Sequence, residues 1–388
     1  VATAETAIEP ILSATRARLC LTCGKCTAVC PVSRMGGDYS PRRFVEQVVT
    51  GSGSLADDSA LWDCLTCSAC YQVCPSNVDF VGLVREVREA APDRTGARCT
   101  HGDAIGAWVK LMAEGFAPNR LGWLEDTDLQ TASDSDTIFF VGCLPFYAPV
   151  FEPIGAECLE IAHSAIRVLN ALGIAPQVRA DEVCCGHDQL WSGDVATFRK
   201  LAERNIAMLR ASGATRVVTA CPECARTLKI DYPKYVEVPD LEILHLSELV
   251  VGTRHAVSLQ GAAKNGREPR TVTFHDPCRL GRHLGIYDAP RTALTEAGFE
   301  VVEMHDSRHH ATCCGTSLWM NCGAVNKRIQ VERLRQAAAT GAEVLVTACP
   351  KCQMHFKCAL DDPDVSGAIR IEVRDLTTLL AETDGRSK

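Results

Sequence analysis

The chain alternates short apolar runs with amphipathic stretches, and each pattern predicts an element. Phe44, Val45, Val48 and Val49 recur at helical spacing, behind Ser40 as N-cap and Pro41 at the first helical position. Gly51 stands just past the end of that helix. A second helical stretch opens at Asn77 and runs towards Ala91. Ile138-Phe139-Phe140-Val141 is an unbroken apolar run, read as a buried strand that ends at Gly142-Cys143. Ile154, Cys158, Ile161, Ala165, Val168, Leu169 and Leu172 then share one face of a long amphipathic helix stopped by Gly173. Asp194 caps a further helix ending at Gly213, and Arg216–Thr219 is a strand with Cys221 at its tip.

That order then repeats. The segment Gly213 to Cys224 aligns without gaps on Gly341 to Cys352, an offset of 128 residues. Thr271 to Phe274 corresponds to the first strand and Ala324 to Thr340 to the last long helix. Strands alternating with helices predict two similar α/β lobes. The expected fold class is α plus α/β: an α-helical domain over 1–100, a linker over 101–136 that is most polar at 125–136, and a first lobe over 137–250. A connector over 251–270, rich in Gly, Lys and Arg, leads to a second lobe over 271–388.

Composition narrows the function classes. A net charge of -8 argues against nucleic acid and offers no polybasic signal for an anionic membrane. The 22 cysteines would suit a disulfide scaffold, but 388 residues are too many for that class. Val1 to Pro10 does not read as a signal peptide, and the apolar stretch Thr137 to Phe151, broken by Gly142 and two prolines, is too short to span a bilayer. The expectation is a soluble protein in a reducing compartment, cytoplasmic, whether free or attached to the cytoplasmic face of a membrane complex. Its thiols are then available to hold metal.

Eighteen of those cysteines fall into two sets. Cys20-x2-Cys23-x2-Cys26-x3-Cys30-Pro31 is followed by Cys64-x2-Cys67-x2-Cys70-x3-Cys74-Pro75, the ferredoxin ligand run written twice. In such runs three thiolates wrap one cluster and the fourth serves the other. Cys20, Cys23, Cys26 and Cys74 are therefore expected to hold one cubane [4Fe–4S] cluster, and Cys64, Cys67, Cys70 and Cys30 a second. Zinc also accepts four cysteines at short spacing, but it gives no reason for two identical runs each closing in Cys-Pro. The other set is a five-cysteine motif used twice: Cys143, Cys184, Cys185, Cys221 and Cys224, then Cys278, Cys313, Cys314, Cys349 and Cys352. Five thiols exceed what a cubane needs, and adjacent cysteines cannot easily both serve as its corners. A structural zinc site or a redox-active vicinal disulfide in each lobe stays open on spacing alone.

The ferredoxin runs, the helix after Tyr39-Ser40-Pro41-Arg42 and both Cys-Cys-Gly repeats resemble heterodisulfide reductase, with its small ferredoxin subunit fused to its Cys-Cys-Gly catalytic subunit. The resemblance covers nearly the whole chain. It implies a noncubane [4Fe–4S] cluster on each five-cysteine set, which together reduce a disulfide or oxidise thiols with electrons fed through the cubanes. Departures from the pattern, a longer gap before Cys184 and His187 where the second lobe has Thr316, fall mainly in the first lobe. A small thiol or disulfide would be the substrate. Because no Gly-x-Gly-x-x-Gly joins a strand to a helix, a flavin-containing or membrane-bound subunit would supply electrons. The same modules also occur in pure electron-transfer subunits whose substrate sits elsewhere. His187, His275, His309, His310 and His355 lie near presumed ligands, and His187 and His275 lead as catalytic candidates. A histidine in such a place more often bonds to a ligand from behind than it moves a proton. Cys158 on its apolar helix face reads as a small buried hydrophobe, and Cys99, Cys322 and Cys358 receive no role.

Overall fold

A computed structural model describes residues 4–52, 60–91, 100–116, 119–253, 270–320 and 322–383. Everything before residue 137 in that set is helical or irregular. Helix Pro41–Thr50 has the predicted limits: the Ser40 side chain accepts from Arg43 N, and Gly51 closes it at φ 66°. Phe44, Val45 and Val48 are buried on its inner face, and Val49 is partly buried there. The second helix starts later than expected. Asn77 adopts a left-handed φ of 51°, so the helix runs Phe80–Ala90 under an Asp79 cap.

Two parallel sheets follow. The first comprises β1 (Thr137–Phe139), β2 (Arg216–Thr219) and β3 (Glu242–His245) in the order β1-β2-β3. The second comprises β4 (Thr271–His275), β5 (Glu300–Val301), β6 (Val344–Thr347) and β7 (Glu372–Asp375) in the order β5-β4-β6-β7. The extra strand β5 has a remnant in the first lobe, where Gln177 makes an isolated parallel bridge to Ile138. Each sheet thus begins at an inner strand, steps to one side, then returns to the other. Ligands in such sheets bind outside the carboxyl ends of the strands at that point of reversal. Cys143 and Cys221 follow β1 and β2, and Cys278 and Cys349 follow β4 and β6.

The helix expected over 154–172 is broken. Leu144–Phe151 is one helix, a 3-10 turn holds Glu152–Ile154, Gly155 takes a φ of 68°, and Cys158–Ala171 resumes. Glycine is suited to that left-handed link, and it lets the chain turn between Cys143 and the sheet's covering helix. Within 101–136, helix Ala104–Ala113 buries Ile105, Val109 and Met112 and packs on helix Val195–Ser212. Only residues 251–253 and 270 of the expected connector are described, and Val251 and Gly252 end helix Leu246–Gly252.

The lobes share one apolar core, in which Phe139 and Val141 meet Val272, Phe274 and Val346. Helix Cys158–Ala171 of the first lobe packs on helix Leu376–Thr383 of the second, and helix Leu246–Gly252 packs on helix Asp288–Glu296. In each pair the helix after a lobe's first strand meets the helix after the other lobe's last strand. Such reciprocal contact is what a twofold relation produces, here between halves of one chain.

Candidate metal centres

The two ferredoxin-type runs share a backbone. Thr22 and Gly24 have φ of 51° and 78°, and their counterparts Thr66 and Ser68 have 48° and 63°. Left-handed residues outside glycine are uncommon, and here they bend each loop around its cysteines. Helix Lys25–Val29, carrying Cys26, packs on helix Ala69–Gln72, carrying Cys70. Cys30 lies close enough to Cys64 and Cys67 for their charges to act on it, and Cys70 feels Cys67, Cys64 and Cys30. Cys26 feels Cys20 and Cys23 in the same way. Cys74 closes the second run, its sulfur accepting from Val78 N at 3.4 Å. Exposure separates the two groups. Cys23 is exposed and Cys20, Cys26 and Cys74 are half-buried, whereas Cys30, Cys64, Cys67 and Cys70 are buried. Burial pushes the Cys30 thiol up to about 12. The buried Tyr39 hydroxyl faces Cys64 and Cys30, a role that its motif did not announce.

In the first lobe the five cysteines form a chain of sulfur contacts, Cys143 to Cys184 to Cys185 to Cys224 to Cys221. The Cys185 and Cys224 sulfurs are 3.5 Å apart. Buried Asn205 fixes the vicinal pair, accepting from Val183 N at 3.0 Å and donating to the carbonyls of Val183 at 3.2 Å and Cys184 at 3.1 Å. Glu182 accepts from Val141 N at 3.1 Å, Gly142 N at 2.8 Å and Arg120 at 2.6 Å. Burial pushes its carboxyl up to about 7 against those partners.

The second lobe repeats the pattern as Cys278 to Cys313 to Cys314 to Cys352 to Cys349. Asp276 anchors the start of this loop through a two-pronged bond from Arg291, at 2.7 and 2.9 Å, and one from Arg308 N at 2.8 Å. All ten lobe cysteines therefore converge in two groups, and every described cysteine is a free thiol.

The histidines occupy distinct settings. His187 is buried with both ring nitrogens engaged: Nε2 accepts from Arg279 Nε at 2.8 Å, so Nδ1 carries the proton towards Asp188 at 2.8 Å. Burial lowers its pKa, and the neutral ring links Asp188 to Arg279. His275 ends β4, accepts from Arg333 Nε at 3.1 Å and meets the Phe356 ring edge-on. Burial and the Arg333 charge hold it at about 3, so its ring stays neutral. His309 and His310 are exposed and lie ring against ring. His355, the least conspicuous in sequence, is the one within 3.4 Å of a lobe sulfur, that of Cys314.

Three features were invisible in the spacing. Lys351 Nζ lies 2.7 Å from both Asp188 oxygens and 2.7 Å from Glu223, joining the lobes between their Cys-Pro-x-Cys turns. Arg88, fully buried, donates to the carbonyls of Leu61, Cys64 and Trp191 at 2.9–3.1 Å and ties the helical domain to the first lobe. Finally, the Cys67 thiol of the helical domain lies within hydrogen-bonding reach of the Cys313 thiol of the second lobe. That contact, with help from Arg282 and Arg279, brings the Cys67 thiol down to about 6. Arg279 donates to the Thr66 carbonyl at 2.5 Å and hydroxyl at 2.7 Å, and Arg282 donates to the Cys67 carbonyl at 2.6 Å. Cationic side chains, N–H groups aimed at sulfur and clustered free thiols are the donor chemistry that iron–sulfur groups require.

Comparison with known proteins agrees. Residues 137–229 and 272–357 each match the cysteine-rich domain family, and residues 16–78 match the 4Fe-4S dicluster domain family. Over 297 residues the chain is 31% identical to the D-type component of the dihydromethanophenazine:CoB–CoM heterodisulfide reductase of Methanosarcina acetivorans, a match covering 73% of this chain and 68% of that one. The chain belongs to the D-type heterodisulfide reductase family. Within a wider group of relatives it is 27% identical to the B-type component of the fumarate reductase (CoM/CoB) of Methanothermobacter marburgensis, over 95% of this chain and 73% of that one. It is 26% identical to EtfAB:quinone oxidoreductase of Syntrophomonas wolfei, over 60% of this chain and 34% of that one. Like the D-type heterodisulfide reductase proteins, it is an iron–sulfur electron-transfer subunit. No described helix is long and apolar enough to cross a membrane.

Proposed function

We propose that this chain is the disulfide-acting subunit of a heterodisulfide-reductase-type complex, fed by a flavin-containing or membrane-bound redox partner. Cys20, Cys23, Cys26 and Cys74 hold one cubane cluster, and Cys30, Cys64, Cys67 and Cys70 the other. Each five-cysteine set holds a noncubane cluster. When bound, these groups supply one-electron carriers in series. The chain's own residues order them. Exposed Cys23 marks the side open to a partner, and the buried second group keeps water away. Thr66 and Cys67, clamped by Arg279 and Arg282, place that second group against Cys313. The observation that carries the reading is the pair of matched five-cysteine groups joined across the Lys351 seam, two centres for the two sulfurs of one disulfide, while the approach of Cys67 to Cys313 links the helical domain to them.

The overall change is RS–SR + 2 e⁻ + 2 H⁺ → 2 RSH, or its reverse. Buried Lys351, Glu223 and His187 and the partly buried Asp188 form a polar seam between the lobes. A pure relay is the second reading, and a specific observation favours it: neither leading histidine is set up as a general acid, since His187 is bonded at both nitrogens and burial keeps His275 out of its charged form. Oxidising the anaerobic holoprotein with a panel of small thiols present, and recording its EPR spectrum, tests the choice. A paramagnetic species that depends on one thiol is expected. Silence with every thiol would overturn disulfide chemistry and leave the relay.

A further inference from the structure

The lobes repeat their cysteines but not their charges. One residue past the first cysteine stands Leu144 in the first lobe and Arg279 in the second; four residues past it stand Tyr147 and Arg282. Three residues past the second vicinal cysteine stand Asp188 and Ser317, and between the last two cysteines stand Glu223 and Lys351. At these four matched positions the first lobe carries two negative charges and the second three positive ones. Lys351 is neutralised by Asp188 and Glu223, Glu182 is paired with Arg120, Asp276 with Arg291 and Arg226 with Asp231, which leaves Arg279 and Arg282 as the charges of this set without an acidic partner among the described residues.

Arg282 is the most telling of the four. Its guanidinium is within charge range of Cys67, Cys278 and Cys313 together, so it stands where the helical domain meets the second lobe. Nε donates to the Cys67 carbonyl at 2.6 Å and Nη1 to the Ala311 carbonyl at 2.7 Å. Nη2 is buried and has no acceptor among the described residues. A buried guanidinium nitrogen without an acceptor, in a side chain whose charge reaches three thiols, is a donor available to negative charge. An added electron is such a charge, and a buried cation favours it more strongly than one in water. In the first lobe Tyr147 offers no charge at that position, and the two charges that act on Cys143, Arg120 and Asp188, oppose each other.

We propose that the two lobe centres are electrically unequal, and that Arg282 makes the second-lobe centre the one reduced first, directly from the Cys67 side. The first-lobe centre, flanked by Asp188 and Glu223, fills second. The one-electron step from the helical domain then runs towards positive charge, and the second electron follows only when both lobes are engaged. This inequality rests on the cluster assignment proposed above, and it holds for disulfide chemistry and for a relay alike.

The test is an EPR-monitored reductive titration of anaerobic holoprotein, after iron and labile sulfide have been counted in each sample. Wild type should show two lobe signals at separate potentials. Arg282→Gln should lower only the higher one, by tenfold or more in the one-electron equilibrium (about 59 mV). Arg282→Lys keeps the charge and should restore most of the difference. Glu223→Gln should raise the lower signal more than the higher one, because Glu223 also reaches Lys351 and Cys349 of the second lobe, and it decides the matter if Arg282→Gln fails to load iron. Lobe signals that titrate together, or that ignore both substitutions at full iron content, overturn the inequality while leaving the assignment intact. Lobes without iron overturn both.

Discussion

Lys351 and Glu223 occupy related positions in the two lobes, yet they are bonded to each other at 2.7 Å. A twofold relation brings equivalent residues together near its axis, so two lysines or two glutamates there would repel. Opposite charges turn that meeting into a lock. Burial works against the ammonium, but Asp188 and Glu223 hold its pKa well above the usual lysine value, and Trp319 lies 5.2 Å below it. Removing one partner of a buried ion pair costs about 3–5 kcal/mol, chiefly because the other charges stay buried and unpaired. Lys351→Met should therefore cost about that much in chemical denaturation of the holoprotein. The swap Glu223→Lys with Lys351→Glu should recover part of it, with a coupling of about 1 kcal/mol or more in a double-mutant cycle. A different residue tests the first-lobe loop. Gly142 sits at φ 66°, and a Cβ there would lie 3.0 Å from the Cys224 sulfur. Gly142→Ala should lower iron content by about a quarter, the share of one cluster in four, while the EPR signals from the second lobe persist.

The closing elements of the two lobes use one device with different chemistry. His245 ends β3 and Asp375 ends β7, and each side chain accepts from the backbone N–H two residues on, from Ser247 at 3.2 Å and Thr377 at 2.8 Å. Both are buried, and burial disfavours whichever form is charged: His245 is pushed down to about 4 and Asp375 up to about 7. The Asp375 shift has a definite sign. A carboxyl whose folded pKa exceeds its unfolded value gives stability that is complete below about pH 4 and lost as pH rises through about 7. Asp375→Asn should flatten that loss, seen as a smaller fall in denaturation midpoint between pH 6 and pH 8. Element boundaries were legible wherever the signal was local. Ser40, Pro41 and Gly51 bracket one helix, and Asp194 and Gly213 another, because each cap acts on its own turn. The Asn77 start was not legible, since Asp79 offers the same chemistry two residues later and Asn77 tolerates a left-handed turn. Gly155 hid the break in the long helix because the apolar spacing continues across it.

At the scale of the molecule, the cysteine spacing disclosed where sulfur would gather but not which groups would touch. Cys67 meets Cys313, and Glu223 meets Lys351, only because the fold places remote turns together; neither residue pair has a periodic or composition signal. The same holds for Arg282, an unremarked arginine in sequence that stands between two thiol groups in space. What the sequence could not carry was the order of the centres. Exposure supplies it: an accessible group at Cys23, a buried group at Cys64 and Cys67, then the second lobe, with the first lobe across the Lys351 seam. That series requires metal in all four places. Anaerobic determination of iron, acid-labile sulfide and zinc in the purified protein tests it most directly. The account predicts about sixteen irons per chain and no stoichiometric zinc; about eight irons with about two zincs would contradict it.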